Sequence, residues 1–502
     1  MVSAAECIQL IPPELLSLLA ASEDTRAYLV GGFVRDALLG RQNHDLDLAV
    51  HGDPLSMARR IGARANGAVV ALDPDRGTYR VVLREPMEQM RTVDLTRLRA
   101  PTLEGDLAAR DFTINAIAVP VDGEGPSFID PTGGLGDLRR KRVKVASPES
   151  FIDDPVRLLR VVRFGLELGF TLDQQTQELA RAAASLLPRA AAERRRDEFM
   201  RLFECDNAAS GIRTLDSLRL LTTMLPDLEA TRSVSQPKEH YYDVFEHSLH
   251  TLAALDLMLR RAPPTHKVDA TLWRALWDGF DWVPGLPQRL EAQLGEGRTR
   301  RSMLKVAGLL HDISKPETKT VDSQSGNMRF YGHPELGARR TMDTLGALRL
   351  SAHEIQYAGL LIAQHLRPGM LAGPGEAPTR RALFRFFRDL GDASPDLLLL
   401  NLADHAAARG PRLTMEEWTG HIDYAAWVLR ILYEDEQVSR PIRLITGDDL
   451  MSELDIHPGP LIGTLLDTIM EAQAAGEVGT REEALTLARA TAASLSATRQ
   501  GG

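Results

Sequence analysis

The chain has 502 residues, 44% hydrophobic and 25% charged, which is enough for three or four domains that each bury a core. Its formal net charge of −10 argues against a protein that coats nucleic acid over a broad basic surface, although a local basic patch is permitted. Two cysteines exclude a disulfide framework and fit a reducing, cytoplasmic compartment. No signal peptide is expected, because the N-terminus carries Glu6 and Glu14 without a basic region, and no apolar run reaches about eighteen residues.

The first informative stretch is residues 27–50. Residues 27–30 have the apolar pattern of a short strand, Gly31 and Gly32 interrupt it, and residues 33–39 have helical character. A glycine pair between strand and helix lets backbone N–H groups approach a ligand with no Cβ in the way, and the positive end of the helix dipole lies behind it. The pattern therefore predicts a phosphate site.

Two aspartates, Asp45 and Asp47, accompany the next predicted strand, residues 46–50. Side chains two apart on a strand point to the same side, with Cα atoms roughly 6–7 Å apart. Paired carboxylates beside a triphosphate site are suited to two hard cations that clamp an in-line phosphoryl displacement. A lone glycine pair is usually a turn and a lone Asp-x-Asp a solvated strand end, but the two together in this order are far more specific.

The fold class predicted is α+β. Strand patterns separated by short turns continue to about residue 145, and the chain is helical from Ser147 onward, so a small mixed-sheet head should precede an all-α remainder. In the third of these strands Asp94 alternates with Thr92 and Thr96. The predicted strands are 68–73, 78–83, 92–98 and 112–119.

Two basic clusters follow the predicted head and would suit an RNA acceptor, although a solvated face is the plain alternative. They comprise Arg139, Arg140, Lys141 and Arg142, and further on Arg194 and Arg195.

Several motifs together resemble the class II tRNA nucleotidyltransferase and bacterial poly(A) polymerase family of the polymerase-β superfamily. They are Gly-Gly-x-Val-Arg-Asp at 31–36, Asp-x-Asp at 45–47, Arg-Asp-Phe-Thr-Ile-Asn-Ala at 110–116, Asp-Asp-x-x-Arg at 153–157 and Glu-Arg-x-x-x-Glu at 193–198.

The resemblance implies a template-independent enzyme that extends tRNA 3′ ends from CTP and ATP. Asp45 and Asp47 would hold Mg²⁺, and Asp94 would be a supporting third carboxylate. Ala109 departs from the family, which usually has arginine there, so the chain lacks that arginine's contact to the sugar or phosphate. The implied nucleotide-binding residues are Gly31, Gly32 and Arg35 at the triphosphate, Arg110 and Asp111 at the ribose, and Asp154, Arg157 and Arg160.

Asp154 and Arg157 occupy the family's nucleobase-reading motif, three apart on one face of a helix. A carboxylate accepts from an exocyclic amine and an arginine donates to ring acceptors, so the pair suits cytosine and adenine over uracil and guanine. The plain alternative is a helix cap, with Asp154 as N-cap and Pro155 at the first helical position.

Only ten residues separate Arg99 from Arg110. Typical CCA-adding members of the family have a longer flexible loop there, and a short one is the hallmark of members that add only two cytidines. The length therefore favours CC addition, with CCA addition and poly(A) synthesis as alternatives.

A second constellation lies between residues 240 and 410, on predicted helices. Its ordered histidines and aspartates resemble the HD phosphohydrolase superfamily, which implies a divalent metal of unknown identity and hydrolysis of phosphoesters. Taken alone, each histidine is an ordinary core or surface residue. The residues are His247, His311, Asp312 and Asp404 at the signature positions, with His333 and His365 as the extra ligands of two-metal members.

Four domains are predicted: head 1–146, neck 147–236, HD domain 237–412, with an insertion at 263–300, and tail 413–502. A rival hypothesis makes the HD unit the working enzyme, acting on nucleotides or RNA 2′,3′-cyclic ends, with the head as a nucleotide sensor. A bifunctional enzyme that uses both sites is also consistent with the sequence, and the oligomeric state is left open.

Overall fold

The computed structural model describes residues 2–19, 25–87, 90–121, 127–373 and 376–500. It contains two compact units, the first formed by Met1–Leu202 with Gly211–Met224 and the second by Phe203–Ser210 with Leu225–Gly502. The finer division into four domains stays a prediction. Within the described ranges, no helix combines the length and the apolar character needed to cross a bilayer.

The first unit contains a six-stranded mixed sheet of order β3-β4-β5-β2-β1-β6, as predicted for the head. Only β2 and β5 run parallel; the other neighbours are antiparallel. The strands of this unit are β1 Arg26–Leu29, β2 Asp45–His51, β3 Gly67–Asp73, β4 Thr78–Met87, β5 Met90–Arg97 and β6 Val119–Pro120, with the separate parallel pair β7 Arg142–Val143 and β8 Thr171–Leu172.

The first twelve helices of the described residues, of which all but α11 begin in the first unit, mostly follow the sheet. They are α1 Ala4–Gln9, α2 Pro13–Leu19, α3 Gly31–Leu38, α4 Pro54–Arg64, α5 Leu103–Ala108, α6 Gly134–Arg139, α7 Ser150–Asp153, α8 Arg157–Leu168, α9 Gln174–Ala183, α10 Ala192–Glu204, α11 Ala208–Ser217 and α12 Leu221–Met224.

Strand β2 shows the alternation that its sequence predicts. Leu46 and Leu48 are almost completely buried on one face, while Asp45 and Asp47 point to the opposite, more open face. The parallel register places Asp47 opposite Asp94 of β5, and the antiparallel register of β4 with β5 places Arg80 opposite the same Asp94. One row of side chains across three strands is therefore Arg80, Asp94 and Asp47.

The predicted strand at 112–119 is wrong for most of its length. Thr113–Asn115 forms a 3₁₀ turn, and only Val119 and Pro120 join the sheet. The backbone is drawn out of a strand by side-chain hydrogen bonds: Asp111 accepts from its neighbour Phe112 N and from Asn115 Nδ2. Because the whole run is buried, its apolar pattern could not distinguish a strand from a packed turn.

The predicted helix start at Asp154 is also wrong. Asp154 has extended backbone angles of φ −150° and ψ 96°, and α8 begins at Arg157 with Val156 as its N-cap. An N-cap residue is extended as well, but here the first bonds are of the tighter i→i+3 kind, from Arg157 N to the Asp154 carbonyl at 3.0 Å and from Leu158 N to the Pro155 carbonyl at 3.1 Å, so the α-helix starts two residues later than predicted.

The second unit is almost entirely helical, and α13, α16, α19 and α21 pack around its centre. The insertion at 263–300 forms α14, α15 and a small hairpin, and α14 packs against α22. The strands here are β9 Gln293–Gly295, β10 Arg298–Thr299, β11 Lys319–Val321 and β12 Met328–Phe330.

Besides α11, fourteen helices of the described residues begin in the second unit. They are α13 Val244–Met258, α14 Lys267–Phe280, α15 Leu286–Glu291, α16 Arg300–Leu310, α17 Lys315–Thr318, α18 His333–Ala347, α19 Ala352–Gln364, α20 Arg380–Leu390, α21 Ser394–Arg409, α22 Met415–Glu434, α23 Glu436–Ser439, α24 Gly447–Leu454, α25 Pro460–Ala475 and α26 Arg481–Gln500.

Gly134 at the start of α6 provides a test of how tightly this helix packs on the 3₁₀ turn. A Cβ at Gly134 would lie 2.0 Å from the carbonyl oxygen of Thr113, whereas a Cβ at Gly136 would meet only Arg140 Nη1, at 3.5 Å. We expect Gly134→Ala to lower the free energy of unfolding by at least about 2 kcal/mol, because backbone must move. Gly136→Ala should instead raise it by up to about 1 kcal/mol, because alanine favours the helix more than glycine does. Urea denaturation measures both, and equal stabilities would contradict the packing described.

Candidate functional site

The turn between β1 and α3 is built around two glycines. Gly31 has a φ of +67°, and a Cβ there would stand 3.1 Å from Asp47 Oδ2; one at Gly32 would stand 3.2 Å from the same atom. Asp47 Oδ2 also accepts a hydrogen bond from Phe33 N, at 3.3 Å. The carboxylate of Asp47 therefore packs against the glycine turn, so closely that a side chain at either glycine would crowd it.

Asp45 and Asp47 lie on the same face of β2, two residues apart. Burial, followed by the charge of Asp94, raises the pKa of Asp47 to about 6. Asp45 is exposed and accepts a hydrogen bond from Thr92 Oγ1, at 2.7 Å. Two carboxylates on one open face beside a turn free of Cβ atoms are suitable oxygen ligands for hard divalent cations.

Asp94, the predicted third carboxylate, is held by an arginine that the sequence did not indicate. Arg80 Nε and Nη2 donate to the two oxygens of Asp94, both at 2.7 Å. This bidentate pair depends on the cross-strand register of β4 with β5, which no local pattern in the sequence specifies.

Arg35 was predicted at the triphosphate. Its guanidinium donates to both oxygens of Asp36 at 2.9 Å and to Asn115 Oδ1 at 2.9 Å, and it lies over the ring of Phe164. Only 12% of the side chain is exposed, so Arg35 is engaged within the protein in this structure. A contact to the triphosphate stays a prediction.

Arg110 does lie at the glycine turn. Its Nη1 would be 3.6 Å from a Cβ on Gly31, while Nε and Nη2 donate to Asp106 Oδ2, at 3.1 and 3.0 Å. Asp111 is buried and paired with Arg160, whose Nη2 is 3.1 Å from its Oδ2. Burial would raise the pKa of Asp111, but Arg160 and hydrogen bonds outweigh it and lower the pKa.

The ten residues between Arg99 and Arg110 form an ordered connection. Thr102 caps α5, and Asp106 on this helix accepts from the backbone N–H of Arg99 at 2.9 Å as well as from Arg110. Asp106, which the sequence analysis missed, thus ties both ends of the segment together.

The predicted base-reading pair is not joined directly. Asp154 accepts two hydrogen bonds from Arg194, at 3.0 and 2.7 Å. Arg157 is 6% exposed and donates to Ser150 Oγ at 3.0 Å and to the Ala109 carbonyl at 3.3 Å. Asp154 and Arg157 are neighbours whose charges interact, but each has another partner.

Glu198 of α10 supports the helix that carries these residues. Its carboxylate is 3.5 Å from Arg160 Nε and 2.9 Å from Arg163 Nε. The second Glu of the Glu-Arg-x-x-x-Glu element therefore pairs with two arginines of α8.

Some side chains of the two basic clusters are exposed, and others form ion pairs or are half-buried. Arg139, Arg140 and Lys141 are exposed. Arg142 forms ion pairs with Asp137 at 2.6 Å and with Asp173 at 3.2 Å. Two further members predicted to contact RNA are Arg194, which is paired with Asp154, and Arg195, which is half-buried.

The second unit brings together all six residues predicted for the HD site. His247 Nε2 lies 3.3 Å from His311 Nε2 and 2.9 Å from Asp404 Oδ1. Asp312 joins two groups: its Oδ2 is 3.2 Å from His311 Nε2, and its Oδ1 is 3.4 Å from His333 Nε2 and 3.7 Å from His365 Nε2. Within the described ranges, these are two clusters whose ligand atoms could hold a cation, and they share Asp312.

Backbone carbonyls orient three of these imidazoles. Nδ1 of His311, His333 and His365 lies 2.9, 2.6 and 2.7 Å from the carbonyl oxygen of the residue three positions earlier. With a proton on Nδ1, each ring presents Nε2 to the centre, as metal-ligating histidines do.

The charges of this cluster are strongly coupled. Burial alone would raise the pKa of Asp312, but His311 and Lys315 outweigh it and hold the pKa well below its usual range. Asp312 and Asp404 in turn raise the pKa of His311 to about 10 against the effect of burial, while burial lowers the pKa of His365 to about 3. The two carboxylates attract positive charge to the position between the rings.

Models of known protein families match four parts of the chain. They are "Poly A polymerase head domain" at residues 27–144, "Probable RNA and SrmB- binding site of polymerase A" at 169–231, "HD domain" at 244–409 and "tRNA nucleotidyltransferase domain 2" at 425–488.

Characterised relatives match over nearly the whole chain. An A-adding tRNA nucleotidyltransferase of Deinococcus radiodurans is 37% identical over 91% of this chain and 94% of its own length. A CC-adding tRNA nucleotidyltransferase of Thermus thermophilus is 35% identical over 91% and 92%.

Solved structures share the fold. A CCA-adding enzyme in complex with CTP has a TM-score of 0.61 at 20% identity, covering 98% of both chains. The Thermotoga maritima CCA-adding enzyme complexed with tRNA has a TM-score of 0.59 at 21% identity, also covering 98% of each chain.

The raised pKa of Asp47 predicts a cost in stability. The pKa of Asp47 in the folded protein, about 6, exceeds the ordinary value of 3.8, so the unfolded state loses its proton more easily. The cost is small below about pH 4, grows between about pH 4 and 6, and levels off at about 3 kcal/mol above pH 6. Asp47→Asn should therefore raise the free energy of unfolding by up to about 3 kcal/mol at pH 7.5 without metal, and by little at pH 4.

Urea denaturation in EDTA at the two pH values measures this gain. Asp45→Asn, on the exposed carboxylate of the same strand, is the matched control and should gain much less. A gain for Asp47→Asn that is equal at both pH values would show that relief of a charged carboxylate is not its origin.

Proposed function

The chain belongs to the family of tRNA nucleotidyltransferases, and we propose that it adds cytidine to tRNA 3′ ends from CTP and releases pyrophosphate. Asp45 and Asp47 on one open face of β2, beside the Gly31–Gly32 turn, are the observation that carries this proposal. The turn receives the triphosphate on backbone N–H groups, with Arg110 beside it.

The head residues fit Mg²⁺. The two carboxylates supply hard oxygen ligands, and no Cβ fills the space before them. Asp45 and Asp47 would hold the ions, which supply activation of the tRNA 3′-hydroxyl and stabilisation of the departing pyrophosphate. The chain itself binds and orients the nucleotide, through the glycine turn, Arg110 and the α8 residues.

Base choice is assigned to Asp154 and Arg157. Asp154 would accept from the exocyclic amine of cytosine or adenine, and Arg157 would donate to the adjacent ring acceptor. Arg194, which now holds both oxygens of Asp154, would have to yield at least one of them. Asp111 and Arg160 support this surface from behind, through their ion pair.

The closed segment between Arg99 and Arg110 supports addition of C. Asp106 ties both of its ends, so the segment cannot act as the long flexible loop typical of CCA-adding members. Addition of A is the second candidate, because the relative from Deinococcus radiodurans, at 37% identity, is an A-adding tRNA nucleotidyltransferase. Poly(A) synthesis is a weaker alternative, suggested by the description of the matching head model.

A second activity, phosphoester hydrolysis, is proposed for the HD cluster. The Nε2 of His333 is buried without a hydrogen-bond partner among the described atoms, and it faces the buried carboxylate of Asp312, whose Oδ2 is 2.6 Å from Lys315 Nζ, as expected of a site that binds positive charge. A divalent ion there would supply an activated water. His247, His311 and Asp404 would hold one ion and His333 and His365 a second, with Asp312 shared.

The remaining assignments follow from these two sites. We place the head at 1–146, the neck at 147–236, the HD domain at 237–412 and the tail at 413–502. The exposed cations Arg139, Arg140 and Lys141 form the proposed tRNA surface, and a cytoplasmic location fits a tRNA substrate.

Product length distinguishes the candidate nucleotide specificities. The full-length protein is incubated with Mg²⁺ and tRNA transcripts that end before the first C or after the second C, with CTP, ATP or both. We expect two C residues on the first transcript and no extension of the second. Extension of only the second transcript, by one A, would favour A addition. Three residues added to the first transcript would favour CCA addition, and a long ladder of products with ATP would favour poly(A) synthesis.

Separate variants distinguish the two sites. Asp45→Ala should reduce CTP incorporation at least about a thousandfold, since the reaction loses a metal ligand, and leave hydrolysis of a 2′,3′-cyclic nucleotide unchanged. Asp312→Ala should abolish that hydrolysis and leave CTP incorporation unchanged. Loss of both activities in either folded variant would contradict two independent sites, and hydrolysis that survives Asp312→Ala would contradict the HD assignment.

A further inference from the structure

We propose that Arg80 is a positioning residue that withholds Asp94 from the metal ions of the head, so that Asp45 and Asp47 alone provide the carboxylate ligands. The inference rests on the proposed Mg²⁺ site at those two residues. In this proposal Asp94 stays paired with Arg80. It does not take the metal or base role that its position in the family suggests.

The sheet puts Asp94 in competition between two neighbours. Arg80 of β4 and Asp47 of β2 are its register partners on either side, each about 4.8 Å away across the sheet. A cation bound at Asp47 and the guanidinium of Arg80 therefore attract the same carboxylate from opposite sides.

The geometry favours Arg80. Its Nε and Nη2 donate to the two oxygens of Asp94, both at 2.7 Å, in a planar arrangement that matches a carboxylate. Both oxygens are therefore engaged by Arg80, and neither is available to a metal alone. A bidentate pair of this kind is lost only if both hydrogen bonds break.

The carboxylate of Asp47 points away from Asp94, towards the glycine turn. Its Oδ2 accepts from Phe33 N and is the atom closest to both glycines of the turn. Within the described ranges, three or more acidic or histidine ligands approach within 4.8 Å of one another only in the second unit. Asp45, Asp47 and Asp94 therefore do not form a closed three-carboxylate cage.

Charge gives the arrangement a function. Three carboxylates this close together and without a cationic partner would repel one another. Arg80 neutralises one of them internally and keeps the other two for the ions that arrive with the triphosphate.

Binding of Mn²⁺ to the full-length protein, followed by electron paramagnetic resonance, tests this independently of activity. Sites lost in Asp47→Asn define the head ions and separate them from any ions in the HD cluster. We expect Asp94→Asn to retain these sites with affinity within about twofold of wild type, because Asp94 is not a ligand. Loss of affinity in Asp94→Asn as large as in Asp47→Asn would overturn the proposal.

Arg80→Met supplies the complementary test. Without the fork, Asp94 is free to join the ions, and Mn²⁺ should bind about three- to tenfold more tightly at the head. The double variant Arg80→Met/Asp94→Asn should return to the wild-type affinity, which a purely structural role of Arg80 does not predict. Arg80→Lys, which keeps the charge without the planar fork, should lie between wild type and Arg80→Met.

The outcomes separate this inference from the proposed function. If Asp47→Asn and Asp45→Asn leave all Mn²⁺ sites intact, the head metal site itself is wrong. If those variants lose the sites but Arg80→Met binds Mn²⁺ as wild type does, only the role of Arg80 is refuted. Should Arg80→Met fail to fold, Asp94→Asn alone still decides, since its carboxamide can accept from the same arginine.

Discussion

The chemistry of the head depends on the parallel pairing of β2 with β5. This one pairing sets Asp47 opposite Asp94, and Asp45 opposite Thr92, on a single face of the sheet. The glycine turn packs against this face, because Phe33 N donates a hydrogen bond to Asp47 Oδ2. Without the register, the same residues would be scattered acids on separate strands.

Arginine pairing selects which acids remain available. Most of the head and neck carboxylates near the site have an arginine partner, which lowers their tendency to bind a cation, whereas Asp45 and Asp47 have none among the described residues. The pairs are Arg35 with Asp36, Arg80 with Asp94, Arg110 with Asp106, Arg160 with Asp111 and Arg194 with Asp154. The proposed metal ligands are thus distinguished as much by the ion pairs around them as by their own positions.

In the HD cluster, burial rather than arginine pairing brings the candidate ligands together. Its four imidazoles and Asp312 are buried together, and neighbouring carbonyls fix the direction of three of the rings. Asp312 shares its two oxygens between two groups of ligands, which concentrates negative charge at one point in the helical unit. A buried centre of this kind is stable only with positive charge, supplied by a protonated His311, Lys315 or a cation.

The sequence by itself determined the elements of the head, the glycine turn, the Asp-x-Asp pair and all six residues of the HD cluster, because these are encoded in local spacing and residue type. Tertiary structure alone decided the remaining features. Hydrogen bonds to Asp111 drew Thr113–Asn115 into a 3₁₀ turn, α8 began at Arg157, and strand register delivered Arg80 to Asp94. Partners such as Arg80 and Asp94, 14 residues apart, or Arg194 and Asp154, 40 apart, meet only when strands and helices pack, and no periodicity in the chain records that meeting.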